Sequence, residues 1–210
     1  MMDHIMQTLL LLPGLILGFS MHEFAHAWMS HMLGDPTPRA QGRLTLNPAA
    51  HIDPLGLLLL VICHFGWGKP VQIDPRYYKH RRSGQLLVSL AGVTMNLILA
   101  VISMGLARIV CMIPMSQALG TIILQVLTGM AQINLVLMIF NLIPLPPLDG
   151  WGVVTQIFDL ERKPWYWNFY RLGPMFLMIL IITRATSFII SPLVSGIYSI
   201  LWLVFFGLLV

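Results

Sequence analysis

The sequence predicts an all-α polytopic membrane protein with about five transmembrane helices, a short re-entrant segment and small extended or hairpin elements in its cytoplasmic-side loops. Of the 210 residues, 57% are hydrophobic and only 10% are charged, whereas soluble domains carry about 25% charged residues. The mean hydropathy is +0.81. Several apolar runs reach the roughly 20 residues that a helix needs to cross a bilayer. This composition excludes a disordered protein, a coiled coil and most soluble enzymes.

The predicted spans follow from these apolar runs and from the residues that end them. Gly34, Asp35 and Pro36 stop the first run, Pro114 stops the second, and a proline cluster at 144–147 stops the third. Two further runs lie near the C-terminus and predict one or two more spans, with a break at Ser191-Pro192. The predicted spans are residues 5–33, 85–113, 119–143, 171–183 and 188–210.

Residues 55–65 form an apolar run too short for an ordinary span, so they either re-enter the membrane or cross it at a tilt. Re-entry places every basic residue of loops 34–82 and 144–170 on one side, as the positive-inside rule expects. We therefore expect re-entry, with both loops in the cytoplasm. Residues 69–73 alternate in polarity after a Gly-Trp-Gly turn and predict an edge strand to which an extended substrate could add.

The net charge of +4 does not predict nucleic-acid binding, because the basic residues lie in short loops rather than on one face. The expected partners are the lipid bilayer and, as argued below, a transmembrane protein substrate. Without a repeat or a linker, one membrane-embedded domain spans residues 1–210. Its core covers about 8–160, followed by accessory helices over about 165–210.

A metal-binding pattern lies inside the first apolar run. His22, Glu23 and His26 form the motif His-Glu-x-x-His, and residues four apart share one face of a helix, so both imidazoles can reach one ion. Glu23 lies beside that ion as a candidate general base for water. Ionisable residues in a membrane helix cost about 2.5–3.5 kcal/mol each at its centre, which favours a functional interpretation over a chance match.

Asp149 is the candidate third ligand. It follows three prolines in the run 141–150, which remove backbone donors and unwind the helix, and Gly150 beside it permits an unusual backbone angle. The alternative is that Asp149 only caps a helix beginning at Trp151. His31 lies one residue away from the spacing of a three-histidine zinc motif, and Glu161 is expected to be a solvated loop charge.

These motifs together resemble the site-2 protease family, the M50 peptidases, over roughly residues 8–160. The resemblance rests on His-Glu-Phe-Ala-His at 22–26, Asn-Pro-Ala-Ala-His-Ile-Asp-Pro-Leu-Gly at 47–56, Gly-Trp-Gly-Lys-Pro-Val at 66–71 and Asn-Leu-Ile-Pro-Leu-Pro-Pro-Leu-Asp-Gly at 141–150. It implies one Zn²⁺ per chain, held by His22, His26 and Asp149, with Glu23 as the catalytic base. It also implies that Asn141 positions the substrate backbone or the oxyanion.

The resemblance further implies an intramembrane zinc endopeptidase of the short, PDZ-less prokaryotic type, which cleaves transmembrane segments of other proteins. The protein is expected to lie in the prokaryotic inner membrane, with its active site toward the cytoplasm. The alternative is a non-proteolytic zinc-binding membrane protein, either a transporter or a regulatory binder. One departure concerns residues 91–96, where Val93 replaces the proline of the family's Ala-Gly-Pro-x-x-Asn and so predicts altered local helix geometry.

Secondary candidates have two interpretations each. His51 and Asp53 lie either at the mouth of a cavity or in turns, and the turn interpretation is favoured by the adjacent prolines. Asn96 either lines the cavity or forms a buried interhelical hydrogen bond. Four aromatic residues predict a belt at the membrane interface: Trp165, Tyr166, Trp167 and Tyr170.

Overall fold

The computed structural model confirms the all-helical class. It describes residues 2–56, 59, 66 and 68–207, with side chains from residue 10 onward. Helices account for 77% of the structure, and the described ranges contain no β-strand. The predicted re-entrant run, residues 55–65, lies largely outside the described residues.

The long helices correspond to the predicted spans. Three-residue 3-10 turns lie at Pro48–Ala50, Pro75–Tyr77 and Leu160–Arg162. The helices are α1 (Met2–Met32), α2 (Thr37–Ala40), α3 (Arg81–Val110), α4 (Gln117–Asn141), α5 (Asp149–Phe158), α6 (Tyr166–Ile182) and α7 (Ala185–Phe206).

Three of the described helices, α3, α4 and α7, are long and apolar enough to cross a membrane. The 31 residues of α1 extend roughly 46 Å at 1.5 Å per residue, which exceeds the hydrocarbon thickness of about 30 Å. The 17 residues of α6 are apolar but shorter. The protein is therefore an integral membrane protein, and the total of five spans stays a prediction.

The predicted break at Ser191-Pro192 is wrong. Helix α7 continues through Pro192, since a membrane helix tolerates the loss of one backbone hydrogen bond. The chain instead breaks at Arg184, whose left-handed backbone, with φ of 58°, separates α6 from α7. Helix α3 likewise runs unbroken past Val93, so the missing family proline leaves a regular helix there.

The predicted strand at 69–73 is also absent among the described residues. The residue before the segment, Gly68, makes an antiparallel bridge with Ile52, and the amide of Lys69 donates to the carbonyl of His51 over 2.8 Å. Pairing stops there because Pro70 has no N–H and because side chains bond the neighbouring backbone groups, as described below.

The core lies where α1, α3 and α4 pack against one another, with α7 covering α4. Close approach of α1 to α4 depends on Gly18, where an added Cβ would lie 2.7 Å from the side chain of Leu137. The buried cluster between α3, α4 and α7 is apolar throughout: Val93, Ala100, Met104, Ala131, Leu135, Met138, Ile139 and Val194.

Asp35 ties the end of α1 to the segment that precedes α3. Its carboxylate is fully buried and accepts hydrogen bonds from the Ser30 hydroxyl over 2.8 Å, the Thr37 amide over 2.8 Å and the Asp74 amide over 2.7 Å. Burial acts to raise the pKa of Asp35, but hydrogen bonds from Thr37, Asp74 and Ser30 outweigh it and hold the pKa below its usual value. This carboxylate therefore anchors the segment that leads into α3.

Candidate active site

The structure brings His22, His26 and Asp149 together. The two Nε2 atoms lie 3.0 Å apart. Asp149 Oδ2 lies 3.1 Å from His22 Nε2, and Asp149 Oδ1 lies 3.3 Å from His26 Nε2. Among the described residues, this is the one group of three or more His, Cys, Asp or Glu side chains that could hold a metal ion.

The other ring nitrogen of each histidine is already bonded. His26 Nδ1 lies 2.8 Å from the carbonyl oxygen of Val88, and His22 Nδ1 lies 2.7 Å from Asn96 Oδ1. Both partners are acceptors, so each neutral imidazole carries its proton on Nδ1. Each Nε2 then presents a lone pair to the other and to Asp149.

This donor set fits zinc. With the ring protons on Nδ1, both Nε2 atoms are free to coordinate and converge with a carboxylate, and Asp149 Oδ2 is buried without a hydrogen-bond donor in the described part of the chain. Such a convergence of acceptors is suited to binding a cation. Zinc bonds of about 2.0–2.2 Å in a tetrahedron separate the ligand atoms by roughly 3.3 Å, close to the separations found here. Three protein ligands are also the set of a catalytic zinc site.

Asp149 is the first residue of α5, and Leu148 occupies the capping position. Asp149 lies within the helix, and among the described residues its carboxylate accepts no hydrogen bond from the N–H groups of the first turn, so the interpretation that it only caps the helix is wrong. Glycine is needed at position 150 because space is short there, and not because the backbone adopts an unusual angle. The φ of Gly150 is not positive, and an added Cβ would collide with the carbonyl of Leu142. Because Gly150 has no side chain, the backbone at Leu142 can pass close to it. This close approach lets α5 place its first residue, Asp149, beside α1.

Glu23 lies one residue from His22, on the same helix, and its carboxylate is oriented by the backbone. Glu23 Oε2 accepts a hydrogen bond of 2.9 Å from the amide of Val71. Within the described chain Oε1 makes no hydrogen bond, which leaves it as an acceptor for a proton. The segment at 69–73 thus lies against the candidate base instead of forming a strand.

A cavity of about 450 Å³ adjoins the three candidate ligands. Glu23, Val71 and Asn141 line it together with polar side chains of α3 and α5. Asn141 is the last residue of α4, and its Nδ2 donates to the carbonyl of Leu137 over 2.9 Å. All five predicted site residues therefore border one cavity.

Other predicted residues have different positions. His51 is fully buried, and its Nε2 lies 2.8 Å from the carbonyl oxygen of Thr45; Asp53 accepts from the Leu55 amide in a turn. These contacts are those of the turn interpretation. Glu161 is not a free loop charge, because Oε1 accepts from Gln156 over 3.0 Å at the edge of the cavity.

Tyr166 was not predicted as a cavity residue. It is buried, only 6% exposed, and stacks on Trp151 with ring centroids 5.7 Å apart. Both rings line the cavity. The other three residues of the predicted belt, Trp165, Trp167 and Tyr170, are exposed, so the belt prediction is wrong for Tyr166. No spacing in the sequence marks Tyr166 as different from its aromatic neighbours.

Known proteins are similar in sequence to most of this chain. Residues 105–183 match the model of Peptidase family M50. The Bacillus subtilis protein named "Putative zinc metalloprotease YwhC" is 39% identical over 186 residues, which cover 87% of this chain and 84% of that protein. This chain belongs to peptidase family M50. The resemblance to site-2 proteases is thereby confirmed, and the chain is a zinc metalloprotease.

Mycobacterial relatives are less similar to this chain. The Mycolicibacterium smegmatis protein named "Putative zinc metalloprotease Rip2" is 29% identical over 185 residues, covering 85% of this chain and 69% of that protein. Rip2 of Mycobacterium tuberculosis is 30% identical over 151 residues, covering 69% of this chain and 56% of its own length. No solved structure matches the chain.

Proposed function

We propose that this M50 metalloprotease cleaves transmembrane segments of other membrane proteins inside the bilayer. In this proposal His22, His26 and Asp149 hold the zinc, and Glu23 is the general base. Zinc supplies the Lewis acidity that activates water and polarises a peptide carbonyl at neutral pH. The observation that carries the proposal is the convergence of two imidazole Nε2 atoms and a carboxylate beside Glu23, within a bundle of apolar helices.

Glu23 moves the protons of the reaction. Its Oε1 takes a proton from the attacking water, while the Val71 amide holds Oε2 in place. The same carboxyl then donates the proton to the leaving amine, which completes hydrolysis without a second acid. A fixed carboxylate favours this transfer because the base needs no reorganisation before it deprotonates the water.

Asn141 is proposed to bind the substrate backbone. It borders the cavity at the C-terminal end of α4, where the chain leaves helical geometry before Asp149. A substrate helix has its carbonyls bonded internally, so it must unwind before attack. A side-chain amide beside the cavity can donate to a carbonyl released in this way and accept from a released N–H.

The proposed location is a prokaryotic inner membrane, crossed about five times, with the metal site toward the cytoplasm. The proposal is supported by the distribution of charge. Lys and Arg are concentrated in loops 34–82 and 144–170, whereas residues 111–116 between α3 and α4 carry none. Cytoplasmic loops have such an excess of basic residues.

The test is cleavage by the purified full chain in liposomes. The substrates are a panel of single-span membrane proteins. For comparison, the same transmembrane sequences are supplied as soluble fusion proteins. We expect cleavage only of the membrane-inserted forms. Glu23→Gln should keep one zinc per chain and lose activity by roughly 10²–10⁴-fold, the usual contribution of a general base. Asp159→Asn is the matched control, because Asp159 pairs with Arg162 outside the cavity.

Three results would contradict the proposal. Equal activity of Glu23→Gln and wild type would remove Glu23 as the base. Cleavage of the soluble fusions at the rate of the inserted forms would show that the protease does not require a transmembrane substrate. Zinc retained by His22→Ala would mean that the ligands are assigned wrongly.

A further inference from the structure

One face of α3 lies against both candidate zinc-binding histidines and bonds the Nδ1 atom of each ring. Val88, Gly92 and Asn96 are spaced four residues apart, so they lie one above another on this face. The backbone of Val88 bonds His26 Nδ1, and the side chain of Asn96 bonds His22 Nδ1. The partner of His26 is a backbone carbonyl, which a side-chain substitution leaves in place, whereas the partner of His22 is a side chain, which substitution of Asn96 removes.

The orientation of the Asn96 amide follows from its other contacts. Asn96 Nδ2 lies 3.2 Å from the carbonyl of Gly18 and 3.0 Å from Asn134 Oδ1. Asn134 Nδ2 lies 2.9 Å from the carbonyl of Met130. Carbonyl oxygens only accept, so each of these nitrogens must face its carbonyl. Asn96 Oδ1 is therefore left facing His22, where it accepts the Nδ1 proton.

Both asparagines are fully buried, and they connect three helices, α1, α3 and α4. Each contact along the path from the Met130 carbonyl through Asn134 and Asn96 to His22 pairs a donor with an acceptor. Reversing either amide would place two acceptors or two donors against each other, and a buried polar group left without a partner is unfavourable. The network accordingly has one stable arrangement.

We propose that Asn96, held in place by Asn134, is a positioning residue that keeps the His22 proton on Nδ1 and so presents the Nε2 lone pair to zinc. This inference rests on the ligand assignment of the proposed function. Partners on the non-coordinating nitrogen of a metal-bound histidine fix its tautomer and ring orientation, and losing one typically costs 10–100-fold in metal affinity. Asn96 supplies this partner from a neighbouring helix.

The two histidines should respond differently to substitution of Asn96. His26 takes its acceptor from the Val88 backbone, which a side-chain substitution leaves in place. His22 depends on the Asn96 side chain alone for its Nδ1 acceptor among the described residues. The His26 signal therefore serves as an internal control within the same molecule.

The test uses the full-length zinc-loaded protein in detergent micelles, labelled with ¹⁵N-histidine. Long-range ¹H–¹⁵N spectra identify the protonated nitrogen of each ring, and competition with a fluorescent zinc chelator measures affinity. In wild type we expect both rings to carry slowly exchanging Nδ1 protons. In Asn96→Leu, which is similar in size but cannot accept, we expect 10–100-fold weaker zinc binding. The His22 Nδ1 proton should be lost or shifted while that of His26 persists.

Asn134→Leu provides a second variant that does not depend on the folding of Asn96→Leu. It leaves Asn96 with its Gly18 contact, so we expect a smaller loss of zinc affinity, less than tenfold. Ser103→Ala is the control, since Ser103 is buried on α3 two turns beyond Asn96 and should bind zinc as wild type does.

The proposal is overturned if Asn96→Leu binds zinc as tightly as wild type with an unchanged His22 signal. If Asn96→Leu does not fold, wild-type zinc affinity in Asn134→Leu overturns it equally. Zinc bound by His22→Ala as tightly as by wild type would instead contradict the ligand assignment, and with it the proposed function.

Discussion

At the scale of single residues, Gly92 controls the space available to the two histidines. A Cβ added there would lie 2.5 Å from both His22 Cε1 and His26 Nε2. Gly92 is buried in the middle of α3, in an ordinary helical conformation. The position therefore requires glycine for close approach of the imidazoles, and the backbone itself would accept another residue.

Gly92→Ala should consequently disrupt zinc binding without unfolding the helix. Alanine is favoured over glycine inside a helix by about 1 kcal/mol, so we expect α3 to persist while the imidazoles are displaced. Zinc binding should weaken by at least about tenfold, in the range found for perturbed neighbours of metal ligands. Zinc content by mass spectrometry and helix content by circular dichroism measure the two effects.

The matched control is Gly105→Ala, on the same helix. A Cβ at Gly105 would lie 3.4 Å from Phe205, which is close to an ordinary van der Waals contact. Gly105 is also far from both histidines in the sequence. This variant should hold zinc as wild type does. Full zinc content in Gly92→Ala would show that the pair can move aside, contrary to the prediction.

At the scale of elements, the segment before α3 is held across the site by Arg43. This side chain is buried, and its guanidinium donates to the carbonyls of Ala50, Lys69 and Pro70. The next residue, Val71, donates its amide to Glu23. The planar guanidinium can reach several carbonyls at once, a geometry that lysine cannot reproduce. Arg43 thus connects the loop after α2 to the candidate base.

Arg43→Lys should loosen this segment while leaving the helices intact. Hydrogen bonds to charged groups are worth about 1.5–3 kcal/mol, so losing even one should speed exchange of the Val71 amide by roughly tenfold or more. Peptide hydrogen exchange on the zinc-loaded protein measures this. Arg39→Lys is the matched control, because Arg39 is exposed and makes none of these contacts. Equal protection of Val71 in both variants would show that Arg43 does not hold the segment.

At the scale of the whole molecule, local patterns predicted the helices and the metal-binding pair. The spans were predictable because each needs only a long apolar run, and the real α3 and α4 begin and end within a few residues of the predicted limits. His22 and His26 were predictable because four residues make about one turn of a helix. Asp149 required the unusual proline run before it and the resemblance to a family.

What the sequence could not predict depends on residues far apart in the chain. Asn96 bonds His22 across 74 positions, and Val71 bonds Glu23 across 48. The strand prediction at 69–73 was wrong because a carboxylate from α1 takes the amide that a neighbouring strand would have used. Such contacts follow from how α1 packs against α3 and the preceding loop, and no local periodicity encodes them.

The orientation of the bundle also belongs to this scale, and two exposed positions test it. Cys111 directly follows α3 in an uncharged connection, whereas Lys163 lies in the basic turn between α5 and α6. Because basic loops stay in the cytoplasm, we expect these positions on opposite sides of the membrane. Asp149, 14 residues before Lys163 in the chain, would then lie toward the cytoplasmic side.

Labelling with a membrane-impermeant maleimide measures this orientation in intact spheroplasts. Cys111 should react from outside in a Cys63→Ser background. Lys163→Cys, in a background that also carries Cys111→Ser, should react only after the membrane is permeabilised, and permeabilised samples of both provide the reference for full labelling. Reaction of Lys163→Cys in intact cells would place the end of α5 outside. That result would reverse the proposed sidedness of the metal site while leaving its ligands unchanged, since the contacts among His22, His26 and Asp149 do not depend on which face of the membrane they approach.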